Sequence, residues 1–127
     1  SKDGKIVEAG AEKGEETLIK LLDSDSGSRY LGEVALVPYD SPISNSNTVF
    51  YNTLFDENAS CHLAFGQAYP VCLEGGSEMK EEELKENGVN LSMVHEDFMV
   101  GTSDLEIIGV TEDGEEILIM KDGNFCK

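Results

Sequence analysis

The stretch Val94-His95-Glu96-Asp97-Phe98-Met99-Val100-Gly101-Thr102-Ser103-Asp104 sets a histidine and an aspartate two residues apart inside an otherwise apolar run. Read as a strand, it places Leu91, Met93, His95, Asp97 and Met99 on one face, because successive strand side chains alternate. Val94, Glu96, Phe98 and Val100 then share the other face. An imidazole and a carboxylate pointing the same way from a hydrophobic strand are costly to bury unless something uses them. A divalent metal is the obvious user.

Two further places interrupt apolar context with polar chemistry. Leu31 to Val37 reads as a strand in which Glu33 shares a face with Ala35 and Val37. A charged carboxylate buried there is expensive; an edge strand with Glu33 facing water is the equally open alternative. In Asp56-Glu57-Asn58-Ala59-Ser60-Cys61-His62-Leu63-Ala64-Phe65-Gly66, the apolar run after His62 implies burial, and Glu57 precedes it closely. His62 reads either as a hydrogen-bonded core residue or as a ligand. Together Glu33, Glu57, His62, His95 and Asp97 offer three carboxylates and two imidazoles. That mixture suits two close divalent metals with open positions for water, and with no cysteine in the set it suits Zn, Co or Mn. It does not separate a hydrolase from a metal-dependent lyase or a passive metal binder.

The remaining elements predict an α+β fold, a single domain with a mixed, largely antiparallel sheet and two or three short helices. Glu15 to Asp23 carries an amphipathic stripe of Leu18, Ile19, Leu21 and Leu22. Asp23-Ser24-Asp25-Ser26-Gly27-Ser28 ends it as a polar loop; for a calcium loop the glycine stands one place early and the twelfth-position glutamate is missing. Pro38 to Pro42 closes the strand before it, a polar Ser44–Asn47 loop follows, and Thr48 to Phe55 is strand or helix start. Ser77 to Glu86 predicts a helix capped by Ser77 and stopped by Asn87-Gly88. Leu105–Val110 and Ile117–Met120 form a hairpin through Glu112-Asp113-Gly114-Glu115, with a further turn at Lys121–Asn124. At the start, Ser1 to Val7 reads as a hairpin turn and its second strand; with no initiating Met, the chain reads as a piece of something longer.

Composition narrows the partners. With 26 acidic against 9 basic residues, nucleic acid and anionic membranes are poor partners, and most of these charges read as solvated surface. No apolar run approaches the ~20 residues of a membrane span, and no signal-peptide pattern is read. Cys61, Cys72 and Cys126 are irregularly spaced without a CxxC, which argues against a disulfide framework or zinc knuckle and for a reducing cytoplasm. The Asn58-Ala59-Ser60 sequon has no meaning there.

Three long segments in order carry a resemblance: Leu31–Ser44, Phe50–Pro70 and Asn87–Thr102. They resemble the bacterial aminopeptidase T/aminopeptidase S metallopeptidases, and the similarity runs from about Lys2 to Phe125. The resemblance implies the C-terminal catalytic domain of a cytoplasmic, homodimeric aminopeptidase with two divalent metals, acting on peptides with a free N-terminus. By position Glu33, His62, His95 and Asp97 match metal ligands, and Glu57 matches an acidic position that is ligand or general base. Tyr69 matches a tyrosine suited to stabilising the tetrahedral intermediate or donating a proton. Family members also have an N-terminal domain and a further glutamate ligand upstream of this region, whose motif Glu8, Glu12, Glu15 and Glu16 do not match. The chain alone is therefore expected to bind metal weakly and not to turn over peptide. The alternative is a non-catalytic acidic module for dimerisation or metal binding, its carboxylates a structural network.

Overall fold

The computed structural model describes residues 3–127. The chain packs as two compact units, one of Ser1–Val34 with Leu63–Asp97 and the other of Ala35–His62 with Phe98–Lys127.

In the first unit, helix α1 (Glu15–Leu22) starts after Gly14, whose φ of 75° suits a residue without a Cβ. Its stripe buries Leu22 fully and Leu18, Ile19 and Leu21 in part. The loop that follows is held by Asp25. One of its oxygens accepts from the amides of Gly27 (2.8 Å) and Ser28 (3.0 Å), the other from Ser92 Oγ (2.9 Å) and the Met93 amide (2.8 Å). Asn90 Nδ2 donates to the Gly27 carbonyl at 3.0 Å. The polar loop is thus stapled to the segment leading into the His95 strand. The Met93 amide foremost, opposed by desolvation and aided by Gly27, Ser92 and Ser28, holds the Asp25 carboxyl down at about 2.

Strands β1 (Leu31–Ala35), β2 (His62–Gly66) and β3 (His95–Met99) form a sheet in that order, so β2 is central. Two expectations in this unit are corrected. No strand runs through Ile6–Val7: Asp3 and Gly4 turn with φ of 50° and 77°, and Lys5 makes a single antiparallel bridge to Tyr30. The Ser1 and Lys2 part of that reading lies outside the described residues. The second correction concerns the helix expected from Ser77, which begins instead at Glu81 (α4, Glu81–Glu86). Gly75 at φ 72° and a 3₁₀ turn over Gly76–Glu78 occupy the preceding residues, and Met79 is extended. Gly76 is buried against the Pro70 carbonyl with no room for a Cβ, which pins that turn out of helical register. The expected stop holds: the Gly88 amide donates to Lys85 (3.1 Å) and the Val89 amide to Leu84 (3.0 Å), a Schellman closure.

In the second unit, Thr48–Phe55 resolves into a loop and one helical turn, α3 (Thr53–Asp56), capped by Asn52. The segment expected as a polar loop contains another turn, α2 (Pro42–Asn45), with Ser41 as N-cap and Pro42 at its first position. Strands β4 (Ile107–Val110), β5 (Glu116–Lys121) and β6 (Asn124–Phe125) form an antiparallel meander, pairing Gly109 with Ile117 and Met120 with Phe125. Asp122 and Gly123 both take positive φ (50° and 71°), the two-residue hairpin geometry that matches strand twist. The core here is Met120 and Cys61, whose sulfurs lie 3.8 Å apart. Cys61 also exchanges hydrogen bonds with the Val37 backbone.

Candidate metal centre

Glu33 is the third residue of β1, and His95 and Asp97 are the first and third of β3, so strand alternation puts the last two on one face. Their side chains converge with Glu33 within the first unit. His95 Nε2 lies 3.4 Å from Asp97 Oδ1 and 3.7 Å from Glu33 Oε2. All three are largely shielded; the Asp97 side chain is 9% exposed, His95 17% and Glu33 26%. The question left open for Glu33 resolves into a combination: β1 is at the edge of the sheet order, yet this carboxylate turns toward His95 rather than into open water.

The hydrogen bonding defines what the cluster lacks. His95 Nδ1 lies 2.7 Å from the Gln67 carbonyl. A carbonyl only accepts, so Nδ1 carries the proton and donates it. In the neutral imidazole Nε2 then presents a lone pair toward Asp97 Oδ1, and at 3.4 Å the two make no hydrogen bond. Asp97 Oδ1 is in fact the buried side-chain polar atom among the described residues that has no hydrogen-bond partner. Two lone pairs facing each other in a shielded site is an arrangement that a cation relieves. The spacing fits one: zinc-to-nitrogen and zinc-to-oxygen bonds of about 2.0–2.2 Å set tetrahedral ligand atoms about 3.3–3.6 Å apart. The donor set, imidazole plus carboxylates without thiolate, suits a borderline divalent ion.

Tyr69 stands against this group, its ring centroid 5.0 Å from that of His95 and tilted by 51°. It is half exposed. The structure thus brings Glu33, His95, Asp97 and Tyr69 together in the first unit. The other two candidates belong to the second unit by residue number. Glu57 opens a 3₁₀ turn, Glu57–Ala59, and is partly buried. His62 opens β2, is 2% exposed, and its Nδ1 donates to the Ser60 carbonyl at 3.0 Å. Both histidines are therefore fixed in the same tautomer by a main-chain oxygen, the arrangement in which ligating imidazoles are commonly oriented. Sequence reading missed the Gln67 carbonyl, because any residue supplies one. Its only trace is Gly66 at the end of an apolar strand, a position that marks close backbone approach.

Shielded carboxylates and a carbonyl-oriented imidazole on a sheet have the chemistry that suits a metal ion, and comparison with known proteins gives the chain's family. The family model described as thermophilic metalloprotease (M29) matches residues 1–125, and the chain belongs to that family. It is 59% identical over 125 residues to Aminopeptidase 2 of Geobacillus stearothermophilus, covering 98% of this chain and 30% of that protein. To Aminopeptidase T of Thermus aquaticus it is 53% identical, covering 96% of this chain and 29% of that one. The solved structure of wild-type AmpT from Thermus thermophilus superposes with a TM-score of 0.85 at 51% identity, covering 96% of this chain and 30% of that chain. The chain thus spans about 30% of the length of the relatives it matches.

Proposed function

We propose that this chain is the C-terminal, metal-binding catalytic portion of an aminopeptidase that hydrolyses the first peptide bond of substrates with a free N-terminus. The observation that carries the reading is the buried, unpartnered Asp97 Oδ1 facing the lone-pair side of His95. Glu33, His95 and Asp97 hold a divalent ion in this reading, and the family pattern adds His62 and Glu57 to a centre for two ions of Zn, Co or Mn. When bound, such ions supply Lewis acidity, polarising a peptide carbonyl and acidifying water. The chain's own residues do the rest. Glu33 or Glu57 takes the proton of the attacking water, and Tyr69, with its ring beside His95, donates a hydrogen bond to the developing oxyanion. The substrate's amino group sits among the carboxylates. The working protein is a cytoplasmic homodimer in this proposal, and the present chain assayed alone binds metal without turnover.

The test has two parts. Titration calorimetry of the metal-free chain with zinc is expected to show binding that disappears in His95→Ala. A full-length protein carrying this chain is expected to release the first residue from an unblocked peptide and to leave its N-acetylated twin intact. Equal cleavage of both peptides would refute the aminopeptidase reading. Zinc binding unchanged by His95→Ala would refute the centre.

A further inference from the structure

We propose that Gly66 is a positioning residue of this centre: its bare α-carbon lets the chain close on Val94, which sets the Gln67 carbonyl on His95 Nδ1 and commits Nε2 to the carboxylates. The inference rests on the metal-centre reading above and assigns a role to residues outside the ligand set.

Three backbone segments meet here with two glycines between them. Gly66 takes φ 95°, and a Cβ on it would run into the Val94 carbonyl. Across the other side, a Cβ on Gly32 would run into the carbonyls of Gly66 and Gln67. Neither glycine has a flexible side chain in its way; the obstacles are main-chain atoms, which cannot swing aside. The closeness has a product. The Gly66 amide donates to the Tyr30 carbonyl at 2.7 Å and the Gln67 amide to the Val94 carbonyl at 2.6 Å. These two bonds tie residues 66–67 to both neighbours and leave the Gln67 carbonyl 2.7 Å from His95 Nδ1.

That carbonyl decides which nitrogen can coordinate. With Nδ1–H donated to it, the ring cannot flip its tautomer without losing the bond, and Nε2 stays on the side of Asp97 and Glu33. Glu33 is also the residue after Gly32, so the same close approach fixes the backbone that carries the carboxylate. A Cβ at either glycine pushes the strands apart at the point where two ligands are aimed.

The test uses the full 127-residue chain, freed of metal, with nitrogen-15 NMR of the two imidazoles and zinc titration. In the unmodified chain at pH 8, both His95 and His62 are expected to carry the proton on Nδ1. His62, held by Ser60, serves as the internal reference. In Gly66→Ala, His62 keeps its tautomer, His95 populates both, and the zinc dissociation constant rises about 10- to 100-fold, the usual scale for losing an outer partner of a ligand. If that variant fails to fold, shown by loss of the His62 signal as well, Gly32→Ala replaces it, since its Cβ meets the Gln67 carbonyl itself without a positive φ. A proton on Nε2 of His95 in the unmodified chain overturns the proposal. So does a folded variant with unchanged His95 tautomer and zinc affinity. Failure of the centre itself looks different: the Nδ1–H tautomer at His95 persists while the unmodified chain binds no zinc.

Discussion

Replacing Asp97 with asparagine should stabilise the metal-free protein while removing its metal site. Asp97 Oδ1 is buried without a hydrogen bond, 3.4 Å from a nitrogen that in the neutral imidazole presents its lone pair. An amide NH₂ in that place can donate to His95 Nε2, turning a repulsive pair into a hydrogen bond. Leaving a buried polar group unsatisfied costs about 1–3 kcal/mol, so relieving it should return stability of that order. At an unfolding entropy of about 2.1 cal/mol/K per residue, 127 residues give about 0.27 kcal/mol/K. The gain then corresponds to a rise in Tm of about 4–11 °C. Scanning calorimetry after chelation, with and without added zinc, reads both halves. The unmodified chain gains stability on adding zinc, by about 2.7 kcal/mol at a hundredfold excess over Kd. Asp97→Asn starts higher and gains nothing. A metal-free Asp97→Asn protein that melts below the unmodified one would refute the reasoning, because Asp97 would then be a satisfied structural carboxylate.

Three other outcomes follow from the same geometry. Asp25 has its folded-state pKa lowered to about 2 by the Met93 amide and its other donors; its contribution to stability is present above the unfolded carboxylate value and is lost as pH falls from about 4 toward 2. Asp25→Asn should therefore flatten acid unfolding in that window while lowering stability at neutral pH, as followed by circular dichroism. Met120→Ala, which empties the fully buried core position beside Cys61, should cost about 2–5 kcal/mol in urea unfolding. Tyr69→Phe keeps the ring against His95 and removes only the hydroxyl, so in a full-length protein carrying the chain it should lower turnover by about 10²-fold and leave zinc affinity unchanged.

Local signals carried most of the elements. The apolar stripe of α1, the alternation of β1 and β3, and the Glu112–Glu115 and Asp122-Gly123 turns each encode their structure within a few neighbouring residues, and each appears where the pattern places it. What the sequence hid depends on distant partners. Ser77 has the chemistry of a helix cap, yet Gly76 wedged against Pro70 decides that the helix starts later. Ile6 and Val7 have strand propensity but only one residue's worth of pairing, at Lys5 and Tyr30. At the site, the two-residue spacing of His95 and Asp97 was legible because strand geometry alone puts them on one face. The approach of Glu33, from another strand of the sheet, was not fixed by its own segment, which fitted burial and solvent equally. The Gln67 carbonyl was invisible for a simpler reason, since a main-chain group has no letter in the sequence.

The order in which the two units share the chain has a consequence for anyone who cuts it. Each unit is assembled from two stretches separated by a stretch of the other, so residues 35–62 interrupt the first and residues 63–97 interrupt the second. No single cleavage releases either one intact, and no end-truncation yields a foldable half. Loop closure across these interruptions must come before either core rewards it. A nick between Asn47 and Phe50, an exposed stretch outside every strand and helix, is the cut that should best leave each unit's own fold in place.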